Sequence, residues 1–162
     1  KPDALILGKA LGGGILPVSM LLARRDVMEV FTPGDHGSTF GGNPLAAAVG
    51  LEALNILIDE DLAANSAAMG DDLINQLRAI DTPLVLEIRG KGLFIGVEID
   101  PGYATARDVC KALMKRGLLS KETHDTVVRL APPLVISKAE IDWAVIQIRD
   151  VLDELNPQRL AS

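Results

Sequence analysis

Lys9 is the first residue whose surroundings suggest chemistry. It follows the apolar run of residues 4–7 and precedes the glycine-rich residues 12–14. Ligands of α/β proteins bind at strand ends, and a lysine in a dry position there has a destabilised ammonium group. We therefore predict that Lys9 is an amine nucleophile suited to Schiff-base chemistry; the alternative is a lysine that extends from a loop into solvent. A P-loop is excluded because Ala10 stands where that motif needs Ser or Thr.

Ser38 and Thr39 belong to a second candidate segment, the glycine-rich residues 36–44. Two hydroxyls and several freely oriented backbone N–H groups just before a helix N-terminus could hold a phosphate. An ordinary glycine-rich connection is the alternative. His36 taken alone is more typical of a structural hydrogen-bonding residue than of a base.

Arg129 is the third candidate, because it interrupts the apolar run of residues 127–130. Burying an arginine is costly unless its charge is paired. The planar guanidinium matches a carboxylate with two parallel hydrogen bonds, which favours a carboxylate-binding role. A structural salt bridge is the alternative.

Other polar residues give weaker signals. We predict that Arg89 and Lys91 are solvated or structural in a glycine-containing turn. Lys121 and His124, near Thr123, could line a cleft, and the prediction for them is a surface loop. The sequence has two His and one Cys, widely separated, so no metal site is expected.

The first part of the chain shows an α/β pattern. Two continuous apolar runs, residues 4–7 and 18–23, predict strands of a sheet that is buried on both faces. Asn43 followed by Pro44 predicts the start of a helix that reaches about Ile58.

After residue 60 the pattern changes to a smaller α/β domain. Leu62, Met69, Leu73, Leu77 and Ile80 recur near the helical period. The remaining predicted elements are strands at 84–88 and 93–99 joined by a turn at 89–92, a helix at 105–116 followed by Gly117, a strand at 127–130, and a final helix that starts with a capping box at Ser137. We predict two domains, residues 1–60 and 61–162.

Composition narrows the function. The net charge is −6, and no basic stripe favours nucleic acid. No apolar stretch reaches the length of a membrane span. The single cysteine fits a reducing, cytoplasmic compartment. Mean hydropathy is +0.26, which indicates apolar surface to be covered by another chain or by a missing part of this one. The start at Lys1, without Met, predicts a missing upstream part.

Taken in order, these motifs resemble the class III aminotransferases, which depend on pyridoxal phosphate. The resemblance covers nearly the whole chain. Within the class it is strongest to the ornithine aminotransferases. The residues that carry it are Leu7-Gly8-Lys9-Ala10-Leu11-Gly12-Gly13-Gly14, His36-Gly37-Ser38-Thr39-Phe40-Gly41-Gly42-Asn43-Pro44, Lys121-Glu122-Thr123-His124 and Val128-Arg129-Leu130-Ala131-Pro132-Pro133.

The resemblance implies a fold-type-I pyridoxal phosphate transferase, represented by the end of the large-domain sheet and the small C-terminal domain. It implies that Lys9 carries the cofactor as a Schiff base and moves a proton, and that Ser38 and Thr39 bind the cofactor phosphate across a dimer interface. Arg129 would bind the carboxylate of the amino acid or 2-oxo acid. The reaction would convert ornithine and a 2-oxo acid to glutamate 5-semialdehyde and an amino acid.

The resemblance also implies what this chain lacks. The aspartate that pairs with the pyridine nitrogen, the aromatic residue that stacks on the ring and most specificity residues would lie upstream. We therefore expect a chain that is inactive without the N-terminal half of the enzyme and that works as a homodimer or higher oligomer. The alternatives are an acetylornithine or 4-aminobutyrate aminotransferase part, or a non-catalytic remnant that acts as an interaction module.

Overall fold

The computed structural model describes residues 1–157, and the last five residues of the predicted second domain lie outside this range. The chain divides into two compact units, Lys1–Asp61 and Leu62–Ser162. We refer to them as unit 1 and unit 2 and describe each by itself.

Unit 1 contains two strands, three helical segments and a long polar loop. Its elements are β1 (Ala4–Leu7), a 3₁₀ helix (Lys9–Gly12), β2 (Met20–Ala23), α1 (Arg25–Met28) and α2 (Pro44–Asp59). β1 and β2 pair antiparallel as a two-stranded sheet. The predicted start of α2 is confirmed, because the Asn43 side chain accepts a hydrogen bond from the Ala46 backbone N–H at 2.8 Å and Pro44 opens the helix.

The prediction of a sheet buried on both faces is wrong for this chain. Along β1 and β2 the residues are exposed, with only the last residue of each strand partly buried. Ile6 is 77% exposed. A continuous apolar strand needs a packed layer on each side, and the described residues of unit 1 do not supply these layers.

Up to residue 156, unit 2 has one sheet and three helices. Its elements are α3 (Leu62–Arg78), β3 (Val85–Lys91), β4 (Phe94–Ile99), α4 (Ala106–Lys115), β5 (Lys121–Thr123), β6 (Val127–Leu130) and α5 (Lys138–Glu154). The four strands form an antiparallel sheet in the order β3-β4-β6-β5. The predicted helices at 62–80 and 105–116 are confirmed. The capping box is also confirmed, since Ser137 and Glu140 exchange hydrogen bonds at the start of α5.

The core of unit 2 lies between one face of the sheet and the helices. Alternate residues of β4, Ile95, Val97 and Ile99, point into it, as period-two geometry requires. Helix α5 covers them with a stripe at helical spacing that includes Ile141, which is 0% exposed. The intervening residues of each strand therefore form the opposite, outer face of the sheet.

Two local predictions in unit 2 are wrong. The turn between β3 and β4 is shorter than residues 89–92, because Lys91 already pairs with Phe94. Gly92 has a φ of 54°, which permits a turn of two residues and leaves Arg89 in the strand. Lys121 lies in strand β5 and not in a surface loop.

Candidate functional site

Lys9 stands where β1 gives way to the 3₁₀ helix. The turn is held by a hydrogen bond from the Leu11 backbone N–H to the Gly8 carbonyl at 3.2 Å. Lys9 has a φ of 53°, in the left-handed region that residues other than glycine rarely adopt. Such strained positions cluster at functional sites. The fold therefore fixes where the side chain of Lys9 leaves the backbone.

The predicted dry environment of Lys9 is wrong for this chain, because the residue is exposed. Among residues 1–157, no acidic side chain forms an ion pair with it. The Lys9 amine is therefore available to form a covalent bond. The described residues do not shield this side chain from solvent.

The segment that contains Ser38 and Thr39 is organised by short-range hydrogen bonds. The Ser38 hydroxyl accepts from the Gly41 backbone N–H at 3.0 Å. Upstream, the Asp35 carboxylate accepts from the backbone N–H and the hydroxyl of Thr32, which lowers the pKa of Asp35. Ser38 and Thr39 are both exposed just before the N-terminus of α2. Their hydroxyls are available to an anionic group such as a phosphate.

Arg129 lies on the outer face of the sheet of unit 2. Its register partners are Gly96 on β4 and Lys121 on β5, and Gly96 in turn pairs with Arg89 on β3. A row of residues therefore crosses all four strands on one face, with three cations and one glycine. The three cations stand in separate segments of the sequence, and only the pairing of the strands brings them into one row.

The two arginines in this row differ in their partners among residues 62–157. Arg89 donates to Glu87 and to Glu98, each at 2.6 Å, and the hydrogen bond with Glu98 raises the pKa of Arg89. Arg129 forms no ion pair with any residue of the described chain, so its proposed structural salt bridge is absent there. Its guanidinium carbon lies 6.0 Å from the centroid of the Phe94 ring, within the range of a cation–π contact.

A groove of about 320 Å³ surrounds this guanidinium. Its polar walls are Arg89, Thr123, His124 and Arg129, and its apolar walls include Phe94 and Val127. Two of the residues that close the β5–β6 turn, His124 and Asp125, have φ values of 52° and 62°. A free cation, an aromatic wall and strained backbone thus meet in one groove, which suits a carboxylate attached to a short carbon chain.

The sequence predictions missed part of this groove. Phe94 is predicted only as a strand residue. For His124, near Thr123, the alternative of a cleft-lining position agrees with the groove, whereas the predicted surface loop does not account for it. The available signal was the alternation of β4, which places Phe94 and Gly96 on the face opposite to Ile95. The pairing of β6 with β4 brings Phe94 close to Arg129 and could not be read from the sequence.

Within residues 1–157, no three His, Cys, Asp or Glu side chains lie close enough to hold a metal ion. None of the helices in the same range combines the length and the apolar character that a membrane crossing requires.

Comparison with known proteins gives a consistent family. The family model "Aminotransferase class-III" matches residues 1–152. The chain is 57% identical over 151 residues to ornithine aminotransferase 2 of Staphylococcus aureus, which covers 93% of this chain and 37% of that protein. It is 55% identical to the ornithine aminotransferase of Staphylococcus epidermidis over a segment of the same length. The chain thus spans little more than a third of these curated relatives.

Solved structures similar to this chain belong to aminotransferases as well. Ornithine delta-aminotransferase of Plasmodium falciparum superposes with a TM-score of 0.92 at 42% identity, over 98% of this chain and 42% of that chain. Acetylornithine aminotransferase of Elizabethkingia anophelis superposes with a TM-score of 0.89 at 44% identity, over 95% of this chain and 41% of that chain. The α/β fold is therefore that of the pyridoxal-phosphate-dependent aminotransferases.

Proposed function

The chain belongs to the class III aminotransferases, a family that uses pyridoxal phosphate, and on this premise we propose that it is the C-terminal part of an ornithine aminotransferase. The reaction is the transfer of the δ-amino group of ornithine to a 2-oxo acid, which yields glutamate 5-semialdehyde and an amino acid. Unit 1, up to about residue 60, is the end of the cofactor-binding large domain. Unit 2 is the small C-terminal domain.

The observation that carries this proposal is the free guanidinium of Arg129 in its groove. Both substrates of the reaction carry a carboxylate, and a transaminase needs a cation that holds it. Arg129 supplies a fork of N–H donors that no acidic residue of the described chain already occupies. The walls of Phe94 and Val127 suit the methylene groups next to a carboxylate.

The residues of unit 1 fit the part of the cofactor that they would hold. Lys9 offers an amine without an ion-pair partner in the described chain, at a strained junction between a strand and a helix. Ser38 and Thr39 offer exposed hydroxyls beside a helix N-terminus, which suits the phosphate. When bound, pyridoxal phosphate supplies the electron sink of the reaction. We infer that the groups that stack on the pyridine ring and pair with its nitrogen come from the upstream part of the enzyme.

Each residue then has its own role. With pyridoxal phosphate bound, the Lys9 amine would hold the cofactor covalently in the resting enzyme. Once the substrate amine had displaced it, the same amine would take and return the proton at the reacting carbon. Ser38 and Thr39 donate hydrogen bonds to the phosphate and fix its position. Arg129 orients the substrate through its carboxylate.

The rest of the enzyme is the proposed partner of this chain. We infer that the N-terminal half supplies the missing pocket and that the complete protein is a homodimer or higher oligomer. Without that half the chain has little or no activity.

Cys110 is free and buried, and burial raises the pKa of its thiol, which agrees with a structural residue in a cytoplasmic enzyme.

A second candidate function is that of an acetylornithine aminotransferase. The likeness to acetylornithine aminotransferase is as close in sequence as that to the ornithine enzymes of known structure. Both reactions would use Lys9 and Arg129 in the same way. The two differ in how the side chain of the substrate is held.

The test combines the full chain with the upstream part of the same enzyme and pyridoxal phosphate. We expect the absorbance band of a Schiff base between Lys9 and the cofactor, and only the mixture should show it. Borohydride reduction and peptide mapping then place the label on Lys9. Substitution of Lys9 with Ala removes the band, whereas the control Lys91→Ala retains it.

Two outcomes would argue against the proposal. Label that is scattered over surface lysines, with or without the upstream part, indicates a folded remnant without a cofactor site. Rates with ornithine and with acetylornithine then separate the two substrates. A mixture that turns over only acetylornithine would replace ornithine as the proposed substrate.

A further inference from the structure

Gly96 occupies the centre of the outer face of the sheet. It is paired with Arg89 on one side and with Arg129 on the other. A glycine inside a strand weakens that strand, because it has no side chain to pack and loses more conformational freedom than other residues. Such a glycine marks a bulge, a bend or a place where something approaches the backbone closely.

The backbone of Gly96 does not require glycine. Its φ is not among the positive values found in the chain, and the pairing of β4 with β6 is regular through this residue. Neither a bend nor a bulge therefore explains why this residue is glycine. The explanation lies in the groove next to its Cα atom.

The glycine at position 96 keeps the floor of the groove of Arg129 at the level of the backbone. A Cβ atom built there would lie 3.2 Å from Cγ1 of Val127 and 3.9 Å from Cγ of Arg89, and both residues line the groove. A methyl group would need a small shift of Val127. A longer side chain would project from the floor of the groove between the two arginines.

We propose that Gly96 is a specificity-determining residue of the carboxylate groove. The inference rests on the proposed function, because it assumes that Arg129 binds the substrate carboxylate. A side chain at position 96 would project into the groove beside Arg129, where it would compete for space with the carboxylate end of the ligand and its adjacent methylene. Since Glu87 and Glu98 already compensate Arg89, Arg129 is the arginine of this row that remains for the carboxylate.

The experiment is a titration of the isotope-labelled full chain with glutarate, followed by NMR shifts of the amides of β4 and β6. We expect saturable shifts near Arg129 in the unsubstituted chain. The G96A variant should bind glutarate ~10-fold more weakly, since one methylene of pocket volume commonly changes binding by about that factor. The G96V variant should lose more than G96A.

Two controls separate lost space from lost structure. G102A adds a methyl group in the same unit outside the groove and should bind glutarate as the unsubstituted chain does. The double variant G96A/V127A removes the contact between the new methyl group and Val127 but leaves that methyl group on the floor of the groove. It should remain weaker in glutarate binding than V127A alone.

The outcomes distinguish this inference from the function on which it rests. If R129A abolishes glutarate binding while G96A and G96V bind normally, Arg129 is the carboxylate ligand and the inference on Gly96 is wrong. If the unsubstituted chain shows no saturable shifts, both the carboxylate role of Arg129 and the inference fail. Weakened binding by G96A and by the double variant, with G102A unaffected, supports the role of Gly96.

Discussion

The two units of this chain use similar sequence patterns and reach opposite degrees of burial. Leu113 in α4 of unit 2 is 1% exposed, whereas Leu45 in α2 of unit 1 is 65% exposed. Unit 2 surrounds its sheet with a continuous apolar core. Across residues 1–61, all of which the structure describes, Leu11 and Ala46 are the buried apolar side chains. Apolar periodicity therefore shows that a face is meant to be covered, and does not show what covers it.

The difference also separates the two kinds of site residue. Arg129 has its groove within unit 2, complete enough that its walls can be named. Lys9 has a fixed backbone and an exposed side chain in unit 1. The proposed carboxylate site is thus largely built by this chain, whereas the proposed cofactor site needs further protein around Lys9.

The largest expected effect comes from a matched pair of leucine substitutions. Leu113→Ala removes a buried helix residue and should lower the free energy of unfolding by about 2–5 kcal/mol. Leu45→Ala removes an exposed helix residue and should change it by less than about 0.5 kcal/mol. Urea unfolding of the full chain, followed by circular dichroism, measures both.

The same pair can sharpen the comparison. If unit 1 is covered by the upstream part of the enzyme, Leu45→Ala should weaken the association of the two parts, and Leu113→Ala should act through stability alone. Equal losses of stability in the isolated chain would show that the described exposure of unit 1 is wrong.

A smaller effect is expected at the helix caps. Ser137→Ala removes the capping box of α5, whose helix carries part of the core, and should cost about 1 kcal/mol of unfolding free energy. Asn43→Ala removes the cap of α2 in unit 1. It should reduce helical signal before the main transition and leave the midpoint of that transition unchanged. A shift of the main midpoint by Asn43→Ala would mean that the units unfold together.

The smallest effect concerns pH and the same capping box. Hydrogen bonds from the backbone and the hydroxyl of Ser137 lower the pKa of Glu140 below its ordinary value. A carboxyl whose pKa is lower in the folded state stabilises that state above its unfolded pKa, and this contribution is lost as the pH falls through the folded pKa. Unfolding midpoints should therefore fall less between pH 7 and about pH 3 in Glu140→Gln than in the unsubstituted chain. If the unfolding midpoints of the variant and of the unsubstituted chain fall by the same amount, Glu140 does not contribute to the loss of stability in acid.

The sequence was sufficient where the signal was local. Asn43 and Ser137 cap helices in the structure as their residue types predicted. The stripe on α5 that includes Ile141 and Val145 is buried as its spacing predicted. Caps and stripes depend on residues three or four positions apart, which sequence reasoning can read.

The sequence was insufficient where the signal came from pairing between distant strands. The row through Arg89, Gly96 and Arg129 depends on the strand order, which no local pattern gives. Gly70 lies inside helix α3, where a glycine costs helix stability. In the structure the backbone of Gly92 lies where a Cβ of Gly70 would be, so that close packing requires it. Burial of Lys9 was predicted from its neighbours, although it depends on protein beyond them.

The position of α5 in the chain bears on how the protein is made. Helix α5 completes the described core of unit 2, to which it contributes Ile141, Val145, Ile148, Val151 and Leu152. A growing chain folds from its N-terminal end as it leaves the ribosome. Helices α3 and α4 are made before α5 and pack against the sheet, but the core stays incomplete until residues 138–154 have emerged. A stop codon before α5 would leave part of this core exposed to solvent, and we expect such a chain to aggregate or to be degraded although every candidate site residue is present.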